Sequence, residues 1–505
     1  MSKNYYINSF IWSTIAKVMN AIFAFISVPL LLGYFGKADY GIISIATACN
    51  GYMHLLDLGM NTGAVKFFSQ WKAEGNNSIA TKVAHTNITF YLIIAILNSV
   101  LLVALGIWGE SLFSITHDQF LILRRCLYIL ALFCIFSWSS TSFNQLLIAD
   151  KQMAYTQKIQ CIQVLLKIIL VVVVLYYKLS LVTYFTGLTF IISLLVIPYA
   201  IRCIRTNLID NIKPGFYWKE FRVVLTFSLS IFALSLFQTT ATQSRPILLS
   251  MFAPNGADAV ANFRIIEAFP ALIIMIGGTF SGIFLPKASE MVAKHDQDAI
   301  ERFAYDWTCK TTVLANILCV PFIFSATEIL TAYVGPEYSD LSKWLVLWCI
   351  SVLLQIHTTP GNSLVLAYGK TRMLVIFTAI SCIISMIINI LLSKHFSVGS
   401  AVIGYSIYVL LVIGLYYTAF YRKLLKLSRW KMLKSFLQPT LLAFFVLGCV
   451  NLIPLDFQWL EPLDLRVANV LKCLIKTLIW FIPYFLLLNW FKLFDIKTIR
   501  HDNLS

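Results

Sequence analysis

Apolar windows of about 20 residues, the length at which an α-helix crosses a bilayer, recur from end to end of this 505-residue chain. Hydrophobic residues make up 59% of the chain and charged residues only 12%, whereas a soluble domain carries about 25% charged residues. No hydrophilic stretch is long enough to form a separate domain. The sequence therefore predicts an all-α polytopic membrane protein.

The apolar windows predict about fourteen transmembrane helices, several with polar or proline interruptions. Their approximate bounds are 10–32, 41–65, 83–107, 121–148, 155–177, 179–201, 223–251, 263–285, 305–326, 344–367, 373–392, 398–421, 435–452 and 467–490.

The distribution of basic residues predicts the orientation of these helices. Placing the N-terminus in the cytoplasm assigns most of the 39 Lys and Arg residues to cytoplasmic segments and few to outer loops, as the positive-inside rule requires. Both termini are then expected inside. This topology and anionic headgroups account for most of the net charge of +16, so we expect no nucleic acid as a partner.

The two halves of the chain match weakly at a separation of about 218 residues. Pro29–Leu32 resembles Pro246–Leu249, and Asp39 has a counterpart in Asp258. Because six helices per copy is an even number, the copies keep one orientation, which predicts two six-helix bundles related by an axis along the membrane normal. The expected divisions are 1–205, 206–425 (the repeat) and 426–505, the last with two additional helices and a cytoplasmic tail.

Polar and cationic residues recur at helical spacing inside several spans. Lipid cannot satisfy their hydrogen bonds, so they predict a hydrated cavity, and its cations suit an anionic substrate because arginine matches phosphate geometry. The alternative is that such residues join helices to one another. The candidate substrate-binding residues are Lys17, Asn20, Lys167, Gln238, Arg245 and Arg264.

Asp57 and Glu267 are the candidate coupling residues. Asp57 shares one predicted helical face with Asn50, His54 and Asn61, and a carboxylate in a poorly solvated site can load and release a proton. Two alternatives stay open. Asp57 can pair with Lys17 on the neighbouring helix, and Glu267 is spaced to form a structural ion pair with Arg264.

Three short motifs stand in the first two predicted helices and the loop between them: PLLLGYFG at 29–36, DYG at 39–41 and LDLG at 56–59. They resemble the corresponding segment of Wzx-type bacterial O-antigen flippases, members of the multidrug/oligosaccharidyl-lipid/polysaccharide exporter superfamily. The helix count, the repeat and the two terminal helices extend the resemblance over the whole chain.

The resemblance implies a flippase that moves an undecaprenyl-pyrophosphate-linked oligosaccharide from the cytoplasmic to the periplasmic leaflet of the bacterial inner membrane. Alternating access driven by an ion gradient would move it, with no cofactor and no enzymatic reaction. Lys17, Arg245 and Asp57 match the lumenal cations and the helix-2 acidic residue of the family. Further implied partners are membrane lipids, a polysaccharide polymerase and a chain-length regulator.

Two other functions remain as alternatives. A MATE-like drug/cation antiporter has the same fold. Cationic substrates favour acidic cavity residues, so the excess of Lys and Arg among the deep charges here argues against this function. An integral-membrane O-antigen polymerase or ligase also has many helices, but it needs a sizeable outer loop. Here the outer segments, such as 108–120 and 454–466, have the length of simple connections. No catalytic triad, metal motif or phosphate-binding glycine-rich loop is visible.

Overall fold

The structure is a computed structural model that describes residues 3–369, 372–455, 457–460 and 462–493. Within these ranges the side chains at 3–7, 73, 230, 231, 233–235, 278–283 and 286 are not described. The described residues form helices and connections and contain no strand. The predicted all-α class is confirmed.

The α-helices are α1 Lys3–Phe35, α2 Lys37–Met53, α3 Met60–Ala73, α4 Asn77–Trp108, α5 His117–Ala149, α6 Met153–Tyr177, α7 Leu181–Ser193, α8 Val196–Arg205, α9 Trp218–Phe252, α10 Gly256–Ala293, α11 Gln297–Phe324, α12 Ala326–Tyr333, α13 Ser342–Ile356, α14 Thr359–Ala367, α15 Arg372–Phe396, α16 Val398–Leu415, α17 Arg429–Asn451 and α18 Leu465–Trp490. Short 3₁₀ turns occupy His54–Asp57, Gly109–Ser111, Pro336–Leu341 and Gln458–Leu460, and a π-helical segment, Tyr416–Leu424, continues α16.

Among the described residues, twelve helical segments are long and apolar enough to cross a membrane. They coincide with twelve of the predicted spans. The other two predicted spans, 41–65 and 223–251, coincide with α2–α3 and α9. The chain is a multi-pass membrane protein.

The predicted helix over 41–65 is wrong in one respect, because it is broken in the middle. α2 ends at Met53, a 3₁₀ turn follows, and Leu58 and Gly59 adopt left-handed backbone with φ of 51° and 75°. Glycine takes this conformation at little cost, and the carboxylate of Asp57 accepts the backbone N–H of Asn61 at 3.1 Å in the first turn of α3. Asp57 therefore does not share one continuous helical face with Asn50, His54 and Asn61.

The chain divides into two compact units, Met1–Ala261 and Asn262–Ser505, with the boundary inside α10. In the first unit, glycines allow α2 and α3 to approach neighbouring backbone closely. A Cβ at Gly41 would overlap the carbonyl oxygen of Ala257, and one at Gly59 would lie 2.5 Å from the carbonyl oxygen of Ser228 in α9. The predicted division at 205 and 425 stays a prediction.

In the second unit, α17 and α18 pack against α11. The Trp480 ring nitrogen donates to the Ala443 carbonyl at 3.0 Å, and the Tyr484 hydroxyl donates to the Pro439 carbonyl at 3.2 Å. Both rings are fully buried, and Tyr484 also accepts a hydrogen bond from Asn316 of α11 at 3.3 Å. The last two helices are thus built into the core of this unit.

Candidate functional site

Lys17 lies on the side of α1 that faces away from an exposed apolar stripe. The stripe recurs at helical spacing and suits contact with acyl chains; its members are Ile11, Ile15, Val18, Ile22 and Ile26. Lys17 is also exposed. At about 100° per residue, its side chain points roughly 140° away from the centre of the stripe.

Asn20 occupies the same side of α1 as Lys17. Its amide nitrogen donates to the Ala16 carbonyl of its own helix at 3.0 Å, and its side chain is half-buried. This hydrogen bond uses one of the amide donors and leaves the amide oxygen available to a ligand.

Helices α1 and α6 pack side by side and run in the same direction. Near their starts, the Lys158 ammonium nitrogen lies 5.0 Å from the centroid of the Trp12 ring. Near their ends, the Tyr34 hydroxyl donates to the Leu179 carbonyl at 3.1 Å. The start of α1 therefore lies beside the start of α6, and the ends of the two helices also lie together.

Lys17 and Lys167 lie between these two points of attachment. Lys17 follows Trp12 by five residues and Lys167 follows Lys158 by nine, so the helical rise places them about 7.5 and 13.5 Å further along the pair. Lys167 is half-buried on the side of α6 that carries the buried Gln163. The two lysines form a series of cations at increasing depth along one helix pair.

Asp57 belongs to a hydrogen-bonded network that the sequence did not reveal. Its carboxylate accepts the Tyr91 hydroxyl of α4 at 2.5 Å, and that hydroxyl accepts the Gln145 amide of α5 at 2.5 Å. Gln145 in turn accepts from Asn87 at 3.0 Å, which also donates to Ser142 at 2.9 Å. Spacings of i, i+4 on α4 and i, i+3 on α5 are the only sequence signal that these residues share a face.

The proposed pairing of Asp57 with Lys17 is not present. No ion pair joins the two side chains in the part of the chain that the structure describes. The carboxylate of Asp57 instead accepts hydrogen bonds from the Tyr91 hydroxyl and the Asn61 backbone N–H. His54 packs beside this network, with its ring centroid 5.2 Å from that of Trp138.

Gln238 and Arg245 of α9 differ in accessibility. Gln238 is exposed, whereas Arg245 is only 6% exposed and its Nε donates to the Ala241 carbonyl of the same helix at 2.8 Å. Contact between Arg245 and a substrate therefore requires α9 or its neighbours to move. Its assignment to the substrate site stays a prediction.

Arg264 and Glu267 form the ion pair that their spacing allows. The Nη1 and Oε2 atoms are 2.5 Å apart, and both side chains are about three-quarters buried. A structural ion pair, the alternative considered for these residues, is thus present in α10. Their roles in substrate binding and coupling stay predictions.

The comparisons with known proteins agree with this fold. The family model described as "Polysaccharide biosynthesis protein" matches residues 7–291, more than half of the chain. The chain belongs to this family, and the predicted resemblance to bacterial polysaccharide exporters is confirmed at that level. Among curated proteins, no sequence matches the chain significantly.

Solved structures of two transporter classes share the architecture. "Lipid II flippase MurJ, inward closed conformation" is similar with a TM-score of 0.72 and 17% identity, over 95% of this chain and 99% of that chain. An inward-facing multidrug resistance MATE family transporter of the MOP superfamily gives 0.61 and 15%, over 78% and 96%. The MATE multidrug transporter DinF-BH gives 0.60 and 15%, over 85% and 97%. At these identities the likeness establishes the fold alone.

Proposed function

We propose that this protein translocates an undecaprenyl-pyrophosphate-linked oligosaccharide from the cytoplasmic to the periplasmic leaflet of the bacterial inner membrane. The sugar–diphosphate head group passes along the cationic side of α1 and α6, while the polyprenyl chain stays in lipid. Alternating access between the two repeats moves the substrate, and an ion gradient drives it. A polysaccharide polymerase and a chain-length regulator act on the delivered unit.

The observation that carries this proposal is the placement of Lys17 and Lys167. Lys17 lies on the side of α1 turned away from its exposed apolar stripe, and Lys167 lies on the side of α6 that carries the buried Gln163. The two lysines lie at successive depths of one parallel helix pair. A charge inside a membrane protein is costly unless it serves a pathway or finds a partner. A diphosphate supplies a mobile partner of opposite charge.

Family membership and the MurJ-like fold add support, since MurJ is itself described as a lipid II flippase. The MATE likeness favours drug/cation antiport as a second candidate. The two functions make opposite demands on the site. Lys17 attracts an anionic head group and repels a cationic drug, so its removal weakens the first activity and does not weaken the second.

The test is flipping of an undecaprenyl-diphosphate-linked oligosaccharide by the purified chain in proteoliposomes. We expect Lys17→Ala to lower the rate by about tenfold or more, the value for one lost charge-assisted hydrogen bond, and Lys17→Arg to retain most of it. Lys178→Ala is the matched control, because Lys178 is an exposed lysine just after α6. Equal rates for Lys17→Ala and Lys178→Ala would contradict the proposal, and unimpaired export of a cationic dye without glycan flipping would establish the antiporter.

Asp57 is proposed to couple transport to an ion gradient. Its carboxylate is held by a phenol and a backbone amide rather than by a fixed cation, so it can exchange a proton without breaking an ion pair. Asp57→Asn should abolish the response of flipping to an imposed proton gradient and leave substrate binding intact. A variant that still responds to the gradient removes Asp57 from coupling.

The orientation with both termini in the cytoplasm is part of the same proposal and depends on the distribution of Lys and Arg. Cysteine labelling checks it. In a variant without native cysteines, such as the exposed Cys449, a thiol introduced at Ser428 in the basic segment after α16 should react with an impermeant maleimide only after the cells are opened.

A further inference from the structure

A cavity outside the proposed transport path lies where α16 turns into α17. We call it the elbow pocket. Its volume is about 570 Å³, and the residues that line it include Thr418, Arg422, Ser428, Arg429, Trp430 and Leu433. Two arginines thus share a cavity with the hydroxyl groups of Tyr417, Thr418 and Ser428 and with an apolar wall.

The π-helical segment fixes the position of Arg422. Leu425 N–H donates to the Phe420 carbonyl at 2.9 Å, a bond that spans one residue more than an α-helical bond. The widened turn directs tyrosines inward, since the Tyr416 hydroxyl donates to Asn362 at 2.8 Å and Tyr421 is fully buried. Arg422 remains on the exposed side. π-Helical turns are rare and occur frequently at functional sites.

Ser428 fixes the other wall, which carries Arg429. Its side chain accepts the Lys431 N–H at the start of α17, and its own N–H donates to the Tyr305 hydroxyl of α11 at 2.9 Å. The connection is thereby tied to a neighbouring helix. The hydroxyl hydrogen of Ser428 remains available for an anionic ligand.

The positive charges of the elbow pocket lie in a long stretch of sequence that lacks acidic residues. No Asp or Glu occurs between Asp340 and Asp456. Helix α11 contacts the connection and carries Asp298, Glu301 and Asp306. Neither arginine takes part in an ion pair among the described residues. Two guanidinium groups without a carboxylate partner match the geometry of a phosphate.

The surroundings of the elbow pocket indicate an amphiphilic ligand. The pocket lies between two candidate membrane spans, Val398–Leu424 and Arg429–Asn451, and Trp430 is 77% exposed, as aromatic residues are at membrane interfaces. From the pocket, an apolar strip continues along α17 through Leu433, Leu441 and Phe445, and the last two are 62% and 65% exposed. A phosphate held by the arginines would have an acyl-chain surface directly beside it.

We propose that the elbow pocket binds the phosphate head group of an anionic phospholipid, with its acyl chain along the exposed strip of α17. Arg422 and Arg429 contact the phosphate oxygens, and Ser428 donates a further hydrogen bond. This lipid is distinct from the transported substrate. It holds the connection between α16 and α17 at the membrane surface.

The test is native mass spectrometry of the full chain in detergent, titrated with phosphatidylglycerol. We expect one retained lipid, and Arg422→Gln with Arg429→Gln should weaken its binding by about tenfold or more, because two charge-assisted contacts are lost. The matched control is Lys426→Gln with Lys434→Gln. It removes the same charge from exposed residues of the same segment that do not line the pocket.

Three results would overturn the proposal. Equal weakening in both double variants would mean diffuse electrostatic attraction. Displacement of the lipid by millimolar inorganic phosphate would mean a free-anion site, and displacement by polyprenyl diphosphate at equimolar concentration would mean a substrate site. Arg422→Lys with Arg429→Lys is the control for misfolding. This double variant keeps both positive charges but lacks the planar guanidinium fork, so it should bind the lipid with intermediate affinity.

Discussion

Gly41→Ala tests how closely α2 packs in the first unit. A Cβ at this position would lie 3.0 Å from the Cα of Ala257 and would overlap the adjacent carbonyl oxygen, well inside the separation of about 3.5 Å at which non-bonded carbon atoms attract. The obstacle is backbone, so no side-chain rotation relieves it. α2 must therefore move away from the start of α10.

The magnitude follows from two opposing effects. Overpacking a close contact costs about 1–3 kcal/mol, and a backbone overlap belongs near the upper end of that range. Replacing a helical glycine by alanine stabilises the helix by about 1 kcal/mol. We expect a net loss of about 2 kcal/mol in the free energy of unfolding for Gly41→Ala.

The assay is reversible unfolding in mixed micelles with an increasing fraction of sodium dodecyl sulfate, followed by far-ultraviolet circular dichroism. Gly33→Ala is the control, because Gly33 is also helical and a Cβ there meets nothing within 4 Å. It should be neutral or slightly stabilising. Equal unfolding free energies for the two variants would refute the close packing of α2.

Two further predictions concern polar contacts. Tyr91→Phe removes the hydroxyl between Asp57 and Gln145 and should lower the free energy of unfolding by about 1–3 kcal/mol in the same assay. When it is combined with Asp57→Asn, the two losses should be non-additive by about 0.5–3 kcal/mol. Simple additivity would contradict the contact between the two side chains. Glu328→Gln breaks the partly buried ion pair between α12 and Lys476 of α18. It should cost about 1–2 kcal/mol, and Lys476→Gln in the same background should cost little more.

The membrane spans could be predicted because each depends on a local property, the apolar run. The break between α2 and α3 near Asp57 was harder to predict, although the sequence has a glycine there, Gly59. A glycine inside an apolar run usually stays helical, and the left-handed turn here depends on the hydrogen bonds of Asp57 with Asn61 and Tyr91. Tyr91 lies on a different helix from Asp57, so no periodicity within one helix reveals the contact between them.

For the candidate site, the sequence indicates the local placement of some residues, and their roles in transport stay predictions. The side of α1 on which Lys17 lies follows from its helical spacing relative to the exposed apolar stripe of the same helix, so a local pattern is sufficient to place it. Burial of Arg245 depends on which helices surround α9, and its sequence neighbours carry no information about that. The elbow pocket also escaped prediction, because a π-helical turn changes the register by one residue and no composition signals it.

The hydrogen bond between Asn316 and Tyr484 has a consequence for biosynthesis. The two residues are 168 positions apart in the chain, so at about 5–20 residues per second the ribosome needs roughly 8–34 seconds to supply the partner. During that interval α11 resides in the bilayer with its asparagine unmatched. A nascent chain that stops before α18 should therefore be a substrate for membrane quality-control proteases, even though it already carries both candidate lysines of the transport path.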